Sequence, residues 1–322
     1  MIYGRQVDEA ASIKIIRRAV ELGINFIDTA NVYVEGRSEE IVGKAIKGMR
    51  DEIVLATKVR HRMGPGPNDE GLSRKHIMKS VEDSLKRLRT DYIDLYQLHR
   101  PDPATPLKET LFALDDLVSD GRVHYIGSSN FSAWQIEKAL RISEVYGLES
   151  FVSSQPRYNI IHRDVERELL PLCLEEGIGV IPYSPLAGGF LTGKYQPDKS
   201  MPEGTRGQLR PEWMKQYFTE RNQAILQELK SLSAETDLKM SQLSLAWLLA
   251  NPAITAPING ASKLEQLEEN IEVVDNPPPT QALERISEVS KQDWLRQQET
   301  REAQSRAFQT QRINYWKKKQ AS

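Results

Sequence analysis

The chain alternates between two rhythms. Short apolar runs rich in Ile, Val and Tyr are each followed by a longer stretch in which apolar residues recur every three to four positions. Seven runs read as strands: 24–30, 53–59, 92–99, 123–128, 151–155, 179–183 and 254–258. The stretches between them carry helix punctuation. Asp8 precedes a helix over 9–22 that Gly23 ends, Ser38 precedes 39–46, and Ser73 precedes 74–88. Pro106 stands in the first turn of a helix running to about Asp120, which Gly121 stops. Ser132 with Gln135, and Ser262 with Glu265, have the spacing of a capping box, in which each side chain takes an orphan N–H of the other's end.

Repeated β–α units joined by right-handed crossovers imply a parallel sheet, either open and doubly wound or closed into a barrel. An open dinucleotide-binding sheet carries G-x-G-x-x-G after its first strand, and none occurs here. The pattern therefore predicts an α/β fold, a (β/α)8 barrel. Seven strands are legible, and only residues 1–3 are strand-like ahead of the first helix, so most of the first barrel strand is expected to be lacking.

Two segments break the rhythm. Residues 184–210 form a long insert rich in Gly, Pro and Lys, of a length usual for functional loops. After Asn276, the sequence PPPT opens a polar tail, helical in character over 281–306 and closing on the basic run Lys317–Lys319. We expect one domain over 1–322, with the barrel in about 1–275 and the tail in 276–322.

Charge and composition narrow the partners. Lys and Arg number 43 against 45 Asp and Glu, a net charge of −2, which gives no drive toward nucleic acid. No apolar run approaches the ~18 residues of a membrane helix, and the start MIYGRQVDEA lacks a secretory core. The single cysteine, Cys173, excludes an internal disulfide and a Cys-based zinc site. It lies on the apolar face of PLCLEE and reads as packing. A cytoplasmic protein with a small-molecule partner, no metal and no membrane is expected, and its oligomeric state stays open.

The chemistry of a β/α barrel gathers at the carboxyl ends of its strands. There Asp28 ends INFID, Lys58 ends IVLATK and His99 ends YIDLYQLH, while Tyr33 follows five residues after Asp28. Singly, each has a plain structural role: a turn, a solvated strand end, a loop histidine, a packed ring. Together, three polar residues on three strands at one end converge on one pocket, where burial is costly unless they pair.

These residues sit in INFIDTANVY, LATK, LYQLHRPD, IGSSNFS, SSQPRYN, YSPLAGGFLTGKY and PINGASKLEQLEEN, and over about 3–275 the chain resembles the aldo-keto reductases. The resemblance implies a (β/α)8 barrel that binds NADPH without a Rossmann motif, with Asp28, Tyr33, Lys58 and His99 as the catalytic tetrad. It implies reduction of an aldehyde or ketone to an alcohol, with Tyr33 as proton donor. Lys58 would lower the phenol pKa from its usual ~10, Asp28 would hold Lys58 charged, and His99 would position the substrate oxygen.

By the same resemblance, Ser129, Asn130 and Gln155 match the positions that hold the carboxamide, and Tyr183 the ring that stacks on nicotinamide. Asp28 is counted with both the catalytic and the cofactor set. Ser184, Pro185, Leu186, Gly188 and Lys194 match the loop along the pyrophosphate, with Arg206 of GTRG as a further clamp. Gly260, Ser262, Lys263, Gln266, Glu269 and Asn270 match the adenosine site, and Lys263 beside Ser262 favours the 2′-phosphate of NADPH over NADH. Gln6 matches a cofactor contact in the related potassium-channel β-subunit branch, which GASKLEQLEEN and SPLAGG also resemble.

Family members carry an N-terminal hairpin and a first strand in the region corresponding to the sequence before Met1; restoring such a strand is expected to raise melting temperature and activity. Substrate choice falls to the loop 60–72, the insert and the tail, with Trp134, Trp213, Tyr217 and Phe218 as aromatic candidates that also suit helix packing. Two alternatives stay open: an NADPH-binding regulatory or redox-sensing protein with little turnover, and a truncated inactive fragment.

Overall fold

The computed structural model describes residues 3–297 together with Thr300, Arg306 and Thr310. The expectations for the first two residues, for most of 298–322 and for the basic run Lys317–Lys319 lie outside the described residues. Six strands, β1 (Phe26–Asp28), β2 (Val54–Val59), β3 (Ile93–Leu98), β4 (Val123–Ser129), β5 (Phe151–Gln155) and β6 (Gly179–Val180), pair in parallel in chain order.

The run 254–258 lies beside β6 through single bridges, Val180 to Ile254 and Tyr183 to Ile258. The run 179–183 is a ladder only as far as Val180. Pro182 and Pro257 have no N–H to give, so pairing there falls to isolated donors, such as Ile258 N–H to Pro182 O at 2.8 Å. The sheet is a curled half-barrel. Phe26 from β1 and Ala256 and Ile258 from the far edge pack with Ala56, Leu95 and Ile181 in one interior cluster. Among the described residues no ladder joins β1 to 254–258. At the chain start, Tyr3 bridges Val7 across a tight turn, and Gly4 N–H donates to Val7 O at 2.8 Å.

Helices run between the strands. In α1 (Glu9–Glu21) the Asp8 carboxylate accepts from Ala11 N–H at 2.8 Å. Before α2 (Arg37–Ala45), Gly36 at φ 92° turns the chain, and Ser38 lies inside the helix instead of ahead of it. Its buried hydroxyl bonds Thr29 at 2.9 Å, so a tertiary partner replaces the expected cap. Ser73 caps α3 (Arg74–Leu88) as expected. Pro106 immediately precedes α4 (Leu107–Ser119), one position earlier than expected. At α5 (Ala133–Tyr146), Gln135 Oε1 accepts from Ser132 N–H at 3.0 Å. In α6 (Leu169–Glu175) Cys173 is buried, and burial raises its thiol to about 11.

The insert is more structured than its composition suggests. A tight helical turn over Ala187–Thr192 is followed by α7 (Arg206–Leu209) and α8 (Pro211–Lys215). Then come α9 (Glu220–Thr236), α10 (Met240–Leu249), α11 (Leu264–Asp275) and α12 (Thr280–Val289), the last two following the run 254–258. Among the described residues no helix is long and apolar enough to cross a membrane.

Candidate active site

Strand alternation sorts the barrel interior into layers. Phe26, Ala56, Leu95 and Ile181 form an apolar floor. Two residues further along their strands stand Asp28, Lys58, Gln97 and Tyr183. The register sets Lys58 level with Gln97, Gln97 with Gly127, and Ser129 with Gln155. Gly127 is required here, because a Cβ would lie 2.3 Å from Ser153 Oγ.

Lys58 is fully buried, and its ammonium donates to Asp28 Oδ2 at 2.5 Å and to Thr29 O at 2.8 Å. The solvated strand end that a lone Lys58 would suggest is thus ruled out. The other Asp28 oxygen accepts from Gln155 Nε2 at 2.8 Å and Gln97 Nε2 at 3.2 Å. Burial presses the Lys58 pKa down and is the largest single influence. Asp28 and Tyr33 together outweigh it and hold the ammonium above the usual lysine value.

Tyr33 opens a tight turn, Tyr33–Gly36, in which Val34 (φ 49°) and Glu35 (φ 54°) are left-handed. A β-branched residue in that region stores strain, of the kind that gathers at functional sites. The turn sets the Tyr33 ring centroid 5.2 Å from Lys58 Nζ and 5.6 Å from the His99 ring, edge to face. The Tyr33 pKa is raised, which corrects the expectation of a lowered one. Lys58 does pull it down, but desolvation of the phenol outweighs that pull, and the Asp28 charge adds to the rise. Tyr33 is thus held protonated.

His99 is driven down to about 2, first by burial, then by Lys58, the neighbouring His61 and Arg100. It is neutral, and its buried Nδ1 has no partner. The His61 ring meets it edge to face at 4.7 Å.

The expected carboxamide residues adjoin this group. Ser129 Oγ donates to Gln155 O at 2.8 Å, and Asn130 Nδ2 donates to His99 O and Ser129 Oγ, both at 2.9 Å. The Tyr183 hydroxyl donates to Asn130 Oδ1 at 2.8 Å, and Asn159 fixes Ser184 O at 2.8 Å. Left-handed Asn130, Ser184 and Ala187 mark the same rim.

Beyond Tyr183, Pro185 is buried and Leu186 packs on Leu245, Ala246 and Val273. Gly188 (φ 69°) and Gly189 (φ 91°) then form a turn with no room for side chains: a Cβ at Gly188 would meet Trp213 at 2.6 Å, and one at Gly189 would meet Lys194 Nζ at 2.8 Å. Arg206 flanks the turn as well, its Cδ 3.4 Å from the Gly188 Cβ position. Partial burial pulls both Lys194 and Arg206 below their usual values. A glycine turn flanked by two cations that form no ion pair among the described residues is a donor set for a polyphosphate.

The adenosine candidates gather separately. Val7 packs with Ala261 and Leu267, which brings the Gln6 segment against Gly260 and the start of α11. Ser262 N–H and Oγ both reach Gln266 Oε1 at 3.0 Å. The expected partner, Glu265, is not used, because α11 begins at Leu264 and its cap position is Lys263. Glu269 O accepts from Gln242 at 2.7 Å, and Asn270 is buried. Of the aromatic candidates, Trp134 is 64% exposed on α5. Tyr217 and Phe218 pack against Phe190 of the insert, and Trp213 meets Tyr217 edge to face.

Gln97, His61 and Asn159 were not singled out from sequence. Gln97 had a usable signal, a polar residue two before His99 on the same inward face of β3.

A curled parallel half-barrel with a buried Lys–Asp pair, a protonated tyrosine and a neutral histidine at its carboxyl edge is a β/α-barrel protein with its polar site at the strand ends. The aldo/keto reductase family model matches residues 1–291, and the chain belongs to that family, which is built on (β/α)8 barrels and generally uses NAD(P)H in oxidoreductase chemistry. It is 40% identical over 286 residues to the uncharacterized oxidoreductase YrpG of Bacillus subtilis, covering 85% of each chain. It is 39% identical over 284 residues to a probable voltage-gated potassium channel subunit beta of Arabidopsis thaliana, covering 85% of this chain and 84% of that one. It is 35% identical over 275 residues to the L-glyceraldehyde 3-phosphate reductase of Escherichia coli, covering 81% and 78%.

Proposed function

We propose that this chain is an NADPH-dependent reductase of aldehydes or ketones, acting in a reducing, cytoplasmic compartment. The observation that carries the reading is the protonated Tyr33 phenol held over the buried Lys58–Asp28 pair, beside neutral His99. When bound, the reduced nicotinamide supplies the hydride. Ser129, Asn130 and Gln155 would hold its carboxamide, Tyr183 would cover its ring, and the Gly188 turn with Lys194 and Arg206 would take the pyrophosphate. Gly260, Ser262, Lys263, Gln266, Glu269 and Asn270, with Gln6, would take the adenosine end.

The chain's own groups handle the proton. Tyr33 gives its hydroxyl proton to the carbonyl oxygen as negative charge develops there. The phenolate left behind is stabilised by the Lys58 ammonium, which Asp28 keeps charged and the two glutamines keep in place. His99, neutral at working pH, donates from one ring nitrogen to the same oxygen and orients it.

Tyr33→Phe removes the proton and little volume. Turnover of NADPH with an activated aldehyde is expected to fall by about 10²–10⁴ with cofactor affinity kept. Unchanged turnover would overturn the assignment. The potassium-channel resemblance supports a second reading, a cofactor-binding sensor, which stoichiometric NADPH binding without steady-state turnover would favour.

A further inference from the structure

The rim outside Tyr33 and His99 carries charges that this chemistry does not use. Arg60 follows β2 directly, Arg100 follows His99, and Arg157 stands two residues beyond β5. Register sets Val59 level with Leu98, and His99 N–H donates to Val59 O at 2.9 Å, so Arg60 and Arg100 leave adjoining strand ends together. Arg157 is bridged to Tyr183. The hydrogen bonds from Tyr183 to Asn130 and from Asn130 to His99 O join the two ends of this arc. The three arginines therefore leave strand ends that border the site of Tyr33 and His99.

Among the described residues none of the three forms an ion pair, whereas Arg18, Arg50 and Arg87 are each paired to acids elsewhere. The acid that feels Arg60 is Asp102, and its oxygens are engaged by Leu72 N–H at 2.7 Å, Thr105 Oγ1 at 2.8 Å and Ala104 N–H at 3.1 Å. Arg60 Nε is buried without a partner, on a backbone at φ 149°. After burial, the fields of Arg100 and Arg60 depress His61, and those of Arg157 and Arg100 reach Tyr183. Cations gathered without carboxylates paired to them attract an anion placed among them, and the planar guanidinium fork suits two oxygens at once.

We propose that the carbonyl substrate carries an anionic group, a carboxylate or a phosphate ester, and that Arg60, Arg100 and Arg157 receive it while the carbonyl lies at Tyr33. The inference rests on the reductase reading and names its substrate class. A short bifunctional molecule, charged at one end and reducible at the other, fits this arrangement.

The test compares matched pairs: 4-oxobutanoate with butanal, and glyceraldehyde 3-phosphate with glyceraldehyde. The charged member is expected to have at least tenfold higher kcat/KM, and the preference should shrink as salt rises. Arg100→Gln and Arg157→Gln, both at exposed positions, should each cut the charged-to-neutral ratio severalfold, and together abolish it. The pair with the larger ratio identifies the anion as carboxylate or phosphate.

Calorimetric titration with 4-hydroxybutanoate and glycerol 3-phosphate reads the site without chemistry. Binding that the double variant loses supports the arginine arc even in protein that does not turn over. Equal kcat/KM within both pairs, or anion binding indifferent to both substitutions, overturns it while leaving the reductase reading intact. Failure of every aldehyde with anion binding retained overturns the reductase reading instead.

Discussion

The ammonium of Lys58 lies 2.5 Å from Asp28 Oδ2, with the lysine side chain 0% and the aspartate 6% exposed. So dry a pair gives stability only while both partners are present, since removing one strands a buried charge. Lys58→Met is expected to cost about 3–5 kcal/mol on that account, and to abolish turnover. Because folding raises the Lys58 pKa, its stabilising contribution is complete below ~10.4 and fades only as pH climbs through the folded value. Urea unfolding at pH 7.5 and pH 11.5 checks both points: the wild type should lose stability at the higher pH more steeply than Lys58→Met.

Histidines set the acid side. His99 is lowered to about 2 and His162 to about 4, burial being the first cause in each. An imidazole held neutral in the folded state stabilises fully above its unfolded pKa of ~6.5, and that contribution drains away as pH falls toward the folded value. The melting temperature should therefore drop between pH 7 and pH 5. His162→Asn should flatten the drop, and a pH-independent melting temperature over that window would refute the assignment.

The β–α rhythm made the strand order and the ends of most helices legible, because burial against both faces writes itself into alternation. The convergence of the candidate residues was legible for the same reason: Asp28, Lys58 and His99 are polar where a strand ought to be apolar. What escaped depends on contacts distant in the chain. The net rise of the Tyr33 pKa comes from desolvation by the whole pocket, which no local spacing reports. Ser38 has the right identity for a cap, but its hydroxyl finds Thr29. Arg60, Arg100 and Arg157 lie on separate strand ends, and only the register reveals that they share a rim.

At the adenosine end, Lys263 is exposed at the cap position of α11, beside a first turn whose N–H groups have no carbonyl partners within the helix. If it meets a 2′-phosphate, Lys263→Ala should weaken NADPH by roughly tenfold, about 1.4 kcal/mol, and leave NADH unchanged. Fluorescence titration of both nucleotides distinguishes this from a general weakening.

The β5 loop that carries Arg157 is tied down by the helix that follows the barrel. Arg163, nearly buried, donates to Glu166 at 2.8 and 2.9 Å and, from Nη1, to Ser287 O and Ser290 Oγ, both at 2.8 Å. Arg221 adds bonds to Ile161 O and Ser290 O. Arg163→Ala removes the larger part of this link, leaving Arg221 to hold the loop, and leaves the Glu166 carboxylate with the Tyr158 hydroxyl at 2.7 Å. Removing one partner of so enclosed a pair should cost about 3–5 kcal/mol. Because α12 also packs through Ala282 and Ile286, the helix itself should stay folded. The damage should concentrate at residues 156–166, seen as faster amide exchange there than in α12. Uniform acceleration across both segments would show instead that Arg163 serves global stability and not the seating of the loop.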